Sequence, residues 1–250
     1  MTPPPLPEVS ISEHAGRRYL HLGTEWVQGS MWIDKPFEIE LDYVQRMMAW
    51  LMFAPLADIK TRHALQLGLG SGALTKFCYK KLRMRCTVVE INPMVVEVCK
   101  QWFKLPPPDE RLRIVLQDAA VALQKKELAA QVDCALVDLY DHEAAAPVLD
   151  SEDFYAQVRA TLTEQGAMAV NLFGRSSSYE RSLQKIQAVL GPEPGAVWAF
   201  KPTKEGNTIV LALRHAQTPE PQAFLQRGQE VQARFGLPAL KWLRVLRPVG

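Results

Sequence analysis

Cysteine is scarce in this 250-residue chain: Cys78, Cys86, Cys99 and Cys134 are the only four, and no two form a C-x-x-C pair. That spacing argues against a disulfide framework and a zinc site. Each cysteine falls inside an apparent helix or strand, the setting of a buried free thiol in a reducing cytoplasm. Long apolar runs are missing as well; none approaches the ~18 residues of a membrane span. The opening stretch Met1-Thr2-Pro3-Pro4-Pro5-Leu6-Pro7 lacks the basic and apolar regions of a secretory signal and reads, over 1–8, as a disordered tail. An excess of one charge is also absent. Lys and Arg number 29 against 27 Asp and Glu, a net charge of +2. Neither nucleic acid nor an anionic membrane is therefore indicated as a partner. What remains, 48% hydrophobic and 22% charged, is the composition of an ordinary globular protein.

Against that background one stretch stands out. Ala64-Leu65-Gln66-Leu67 is a short apolar strand running into Gly68-Leu69-Gly70-Ser71-Gly72, and a helical stretch follows. Glycines let the backbone turn tightly and let a ligand approach the main chain. The next helix begins with N–H groups aimed at that ligand. About 20 residues after Gly70, Val88-Val89-Glu90 is a second apolar strand ending on an acid. At this spacing Glu90 is placed to accept from the two hydroxyls of a ribose. The competing reading is a tight strand-to-helix turn beside a solvated Glu.

Taken in order, residues 9–33 read as β. Arg18–Leu22 and Glu25–Met31 flank Gly23 as a hairpin. A helix from Glu40 to Phe53 carries Leu41, Val44, Met47, Met48 and Leu51 on one face, and Pro55 ends it. Helices are expected over 73–82, 93–103, 119–126, 151–163 and 177–190. Strands are expected over 86–91, 112–116, 132–138, 167–172, 196–201 and 207–213. From about 219 the pattern is a helix to Phe235, then a polar C-terminus. Alternating strands and helices imply an α/β fold with a mostly parallel sheet, and the last two strands, with no helix between them, an antiparallel edge. The expected organisation is a tail (1–8), a short β-hairpin and helix (9–54), a nucleoside-binding Rossmann-like domain (55–215) and a helical extension (216–250).

Ligands on such sheets bind at the carboxyl ends of the strands. Glu90, Asp118 and Asp138 all fall there. Asp118 is placed to accept from an adenine amino group, with the N–H of Ala119 meeting a ring nitrogen; the alternative for each acid is a helix N-cap. Asp138 and Asp141, after the fourth strand, could hold a cationic amine or take its proton.

Val89-Glu90-Ile91-Asn92, Gly68–Gly72 and Val137-Asp138-Leu139-Tyr140-Asp141 together resemble the spermidine synthase family of aminopropyltransferases, over about residues 17–213. Ser151-Glu152-Asp153-Phe154-Tyr155 and Trp26-Val27-Gln28 extend the likeness. The resemblance implies a class I methyltransferase-like fold behind a small β domain, a cytoplasmic homodimer, and no metal. Its co-substrate would be decarboxylated S-adenosylmethionine and its partner a small-molecule amine. It implies Gln28, Gln45, Gly68, Gly70, Ser71, Glu90, Asp118 and Ala119 toward the nucleoside. It also makes Asp138 the deprotonating acid and Asp141 a second amine-binding acid. Three positions depart from the family pattern. Ser71 replaces a loop Asp that fixes the propylamine, Val44 stands where a Tyr is expected with Tyr43 one place off, and Lys204 replaces a late Tyr. Three readings follow: amine alkylation from the decarboxylated co-substrate, methyl transfer from ordinary S-adenosylmethionine, or a non-catalytic nucleoside-binding scaffold.

Overall fold

The computed structural model describes residues 6–139, 149–173 and 176–249. The chain opens with β1 (Val9–His14), β2 (Arg17–Leu22) and β3 (Gly29–Trp32), an antiparallel three-stranded sheet. That is one strand more than the hairpin read from the sequence. The tight turn is Ala15-Gly16, both at positive φ (49° and 75°), as a two-residue hairpin turn requires. Gly23 instead begins a longer loop, and Trp26 and Val27 are exposed in it. Residues 7 and 8 are tied to the body of the protein. Pro7 O accepts from Asn92 Nδ2 at 3.1 Å and Glu8 O from Gly23 N at 2.8 Å.

α1 (Asp42–Met47) tightens into a 3₁₀ turn, Met48–Met52, whose residues are all buried. Then come β4 (His63–Leu67), α2 (Ala73–Lys76, continuing as a π turn to Lys81), β5 (Arg85–Glu90) and α3 (Pro93–Trp102). α3 starts where the sequence says it must. Asn92 Oδ1 accepts from Met94 N at 3.0 Å, and Pro93 takes the first helical position. β6 (Leu112–Leu116), α4 (Ala119–Leu123), β7 (Val132–Val137), α5 (Glu152–Thr161), β8 (Leu162–Phe173) and α6 (Ser176–Leu190) complete the alternation. β9 (Val197–Phe200) and β10 (Asn207–Leu213) follow, then α7 (Pro221–Phe235), α8 (Ala239–Trp242) and β11 (Leu246–Pro248). The polar C-terminus read from the sequence is therefore structured. Leu246 and Trp242 are buried, and β11 pairs with β9.

The main sheet has the order β11-β9-β10-β8-β7-β4-β5-β6. β8, β7, β4, β5 and β6 are parallel, while β10, β9 and β11 pair antiparallel as the expected edge. Alternate residues bury on opposite faces. Cys134 and Leu136 of β7 join one core, Ala135 and Val137 the other. With both faces covered, the central strands are predominantly apolar, with His63 and Gln66 of β4 buried among them, which is why they read as short apolar runs. The chain leaves β4 toward β5 and β6 on one side and toward β7 and β8 on the other. The switch point lies between β4 and β7.

At the opposite end of β4, His63 is buried, with Nε2 2.9 Å from Thr87 Oγ1 and Nδ1 beside Gln131 O and Arg85. Burial, then the Arg85 charge, pushes its pKa from 6.5 down to about 4. Between those values the unfolded chain binds a proton that the folded one refuses. This contribution is complete above pH 6.5 and is lost as pH falls toward 4, on the order of 3 kcal/mol in all. Urea unfolding at stepped pH should show that slope in the wild type and a shallower one in His63→Gln. Equal slopes would assign acid sensitivity to other groups. All four cysteines are free and buried.

Candidate active site

Gly68, Gly70 and Gly72 all take left-handed backbone conformations, with φ of 85°, 51° and 70°. At Gly68 the need is also spatial. A Cβ there would run into the carbonyl of Asp138, because Asp138 N donates to Leu67 O at 3.0 Å and draws the ends of β4 and β7 together. The loop wraps toward Glu90. Leu69 N donates to Glu90 Oε2 and Asn92 N to Oε1, both at 2.8 Å. Burial raises the Glu90 pKa, and the N–H groups of Asn92, Leu69 and Ile91 oppose that rise. One carboxylate thus joins the glycine loop to the start of α3.

Asp118 is the helix N-cap that the sequence offered as one alternative. Its Oδ1 accepts from Ala120 N at 2.8 Å and Val121 N at 3.2 Å, capping α4, and the residue also lines the cleft. Ala119 lines it too.

Asp138 sits directly after β7, with Asn171 Nδ2 of β8 donating to its Oδ1 at 2.9 Å. The Tyr43 hydroxyl donates to it from α1. Behind Asn171, Asn207 Nδ2 donates to Asn171 Oδ1 at 3.1 Å, and Thr203 Oγ1 accepts from Asn207 N at 3.2 Å. Burial raises the pKa of Asp138; the Asn171 and Tyr43 hydrogen bonds hold it back. The Tyr43 phenol is itself raised, by burial and then by the Asp138 charge. A carboxylate with a raised pKa is a stronger base than a solvated one, and two neutral donors orient it without cancelling its charge.

Tyr43, Gly68, Gly70, Glu90, Asp118, Ala119, Asp138 and Asn207 line one cavity of about 860 Å³ at the carboxyl ends of the strands. Its acids are Glu25, Glu40, Asp42, Glu90, Asp118, Asp138 and Glu205; no Lys, Arg or His is among the described residues that line it. A cleft of one sign in a chain with a net charge of +2 concentrates field on its ligand. Asp42 is paired outside the cleft with Arg46, 2.7 Å away. Among the described residues no group of three or more His, Cys, Asp and Glu could hold a metal, and no helix is long and apolar enough to cross a membrane.

Of the residues singled out in the sequence, Gln28, Gly68, Gly70, Glu90, Asp118, Ala119 and Asp138 line this cavity. Ser71 does not. Its Oγ donates to Ser30 O at 3.2 Å and its side chain packs on Gly29, facing β3. Gln45 does not either: Nε2 donates to Ile39 O at 2.8 Å and holds the segment before α1. Asp141 lies outside the described residues. Tyr43, Asn171 and Asn207 were missed. For the two asparagines a signal existed, since each interrupts or opens an otherwise apolar strand. For Tyr43 the register was one place off. Successive helical residues turn by about 100°, so Val44 is buried in the core while Tyr43 reaches the cleft. Lys204 is exposed and away from the cleft, and its neighbour Glu205 lines it.

Residues 42–218 match the spermine/spermidine synthase domain. The polyamine aminopropyltransferase of Chromobacterium violaceum is 32% identical over 234 residues, 93% of this chain and 86% of that protein. The chain belongs to the spermine/spermidine synthase family. Among solved structures, a probable spermidine synthase from Corynebacterium glutamicum superposes with a TM-score of 0.75 at 16% identity, over 92% of this chain and 85% of that one. Human methyltransferase-like protein 13, solved in complex with SAH, superposes at 0.66 with 21% identity, over 84% and 95%. At such identities the superpositions show the fold alone. Ser71, the position at which the resemblance implied a departure from the family pattern, is turned away from the cleft. Lys204 is not among the described residues that line the cleft, and the adjacent Glu205 is.

Proposed function

We propose that this chain transfers an aminopropyl group from decarboxylated S-adenosylmethionine to an amine. The observation that carries this reading is the cleft's charge. Both the decarboxylated co-substrate and an amine acceptor are cationic and suit a carboxylate-lined cavity. The carboxylate of ordinary S-adenosylmethionine would meet no side-chain cation among the described lining residues. The family's curated relatives, named polyamine aminopropyltransferases, support the same reaction.

The co-substrate's sulfonium makes its propyl carbon electrophilic. The protein's part is to hold two partners and remove one proton. Glu90, already fixed by Leu69 N and Asn92 N, accepts from the ribose hydroxyls. Asp118 accepts from the adenine amino group, and Ala119 N donates to the ring. Asp138 takes the proton of the acceptor ammonium, and Tyr43 and Asn171 aim its carboxylate. Asp141 is assigned a second contact with the acceptor on the family resemblance. Placing amine and carbon at attack distance supplies much of the rate.

Calorimetry with methylthioadenosine, decarboxylated S-adenosylmethionine and S-adenosylmethionine, alongside a methylthioadenosine-release assay with diamines and polyamines, tests the reading. Decarboxylated co-substrate should bind at least about tenfold more tightly than the carboxylated form, the scale of one charge-assisted contact. Methylthioadenosine should be released with at least one amine. Tighter binding of S-adenosylmethionine with no release from any amine would instead assign methyl transfer.

A further inference from the structure

Glu25, Glu40 and Glu205 line the cleft without a part in the steps above; Glu25 and Glu205 are exposed, and Glu40 is not. Glu40 lies between β3 and α1 and lines the cavity. Its side chain is only 13% exposed; Oε1 stands 3.1 Å from Arg17 Nε, while Oε2 is out of reach of solvent and accepts no hydrogen bond. Arg17 answers it incompletely. That guanidinium lies 4.3 Å from the centre of the Trp32 ring, and its own Nε makes no hydrogen bond. The segment is not loose: Ile39 is buried, and Gln45 Nε2 fastens its carbonyl at 2.8 Å. Gln28, on the same cavity, also has a buried atom without a partner, Nε2. A desolvated carboxylate oxygen with no donor is matched by a group that brings both positive charge and several N–H bonds. A primary ammonium has three such donors. The glycine loop, with Ser71 facing Ser30, presents no charge of its own for that group.

We propose that Glu40, by turning its buried carboxylate toward the cavity it lines, binds a primary ammonium there and supplies from the N-terminal segment a carboxylate that the glycine loop does not carry. The assignment rests on the function proposed above. Two sources carry this group: the propylamine end of the co-substrate and the distal end of a diamine acceptor.

The test compares wild type, Glu40→Gln and Arg17→Met. Methylthioadenosine, which has no ammonium, should bind all three alike. If the co-substrate is the source, Glu40→Gln weakens decarboxylated S-adenosylmethionine about tenfold or more. If the acceptor is the source, the KM for a diamine rises by that factor and the KM for a monoamine of equal chain length rises less. Arg17→Met breaks the same ion pair but keeps the carboxylate, so it should preserve or tighten ammonium binding. The assignment is overturned if Glu40→Gln changes neither quantity, if it weakens methylthioadenosine equally, or if Arg17→Met reproduces its effect. A wild type that does not bind the decarboxylated co-substrate would remove the proposed function and this assignment together. Normal wild-type activity matched by Glu40→Gln would remove only the assignment.

Discussion

Asp138→Asn should lower turnover at least about 100-fold, the scale of losing a general base, while methylthioadenosine affinity stays unchanged. The structure allows this substitution to act on chemistry alone. An asparagine keeps an oxygen to accept from Asn171 Nδ2, and its amide can donate to the Tyr43 hydroxyl, which is able to accept. What disappears is the charge and the base. The proposed nucleoside contacts, Glu90 and Asp118, stand at the end of β5 and after β6. A pH profile separates this role from a structural one. The pKa of Asp138 is raised by burial and held back by Asn171 and Tyr43. The acid limb of kcat/KM should therefore lie above the ordinary carboxylate range, and Asn171→Leu should move it to higher pH still. Full activity in Asp138→Asn would remove the mechanism. An acid limb unmoved by Asn171→Leu would remove the positioning role of Asn171.

Glu90→Ala should weaken nucleoside binding by about 1–3 kcal/mol, roughly 5- to 150-fold, through the lost charge-assisted bonds to the ribose. It should also lower the melting temperature. Glu90 accepts from Leu69 N and Asn92 N, so its removal strands one backbone donor in the glycine loop and one at the start of α3. A buried N–H without a partner costs about 1–3 kcal/mol. Glu90→Gln keeps one acceptor oxygen and should fall between wild type and alanine in both measurements. Calorimetry with methylthioadenosine and a thermal melt read the two effects separately. Unchanged affinity in a folded Glu90→Ala protein would place the ribose elsewhere.

The strand-end half of the candidate site was legible in the sequence because it is local. In a parallel sheet each strand ends at the same rim, so the residue closing an apolar run is delivered to the cleft by its strand alone. Gly68, Glu90, Asp118 and Asp138 could be read that way, one strand at a time. The order of helices and strands was legible for the same reason, since apolar period and the caps at Asn92 and Ser151 are properties of a few neighbouring residues. The first N-terminal strand, β1, and β11 were not. Short strands at a sheet edge exist through their pairing partners, β2 for β1 and β9 for β11, the latter far away in the chain.

The other half of the cleft was decided by tertiary structure. Ser71 belongs to the glycine motif, yet the packing of β3 against the loop turns its hydroxyl to Ser30. Gln45 sits near the expected position, but its amide is taken by Ile39 O within its own segment. Tyr43 and Asn171 meet at Asp138 from α1 and β8, 128 residues apart (171 − 43), and no spacing rule links them. Glu40 and Glu205 join the same cavity from opposite ends of the chain. The sequence determined which residues stand at strand ends, since that depends on local pattern. Which side chains face the cleft from the N-terminal segment and the antiparallel edge depends on how three distant pieces pack over it, and only the folded chain sets that packing.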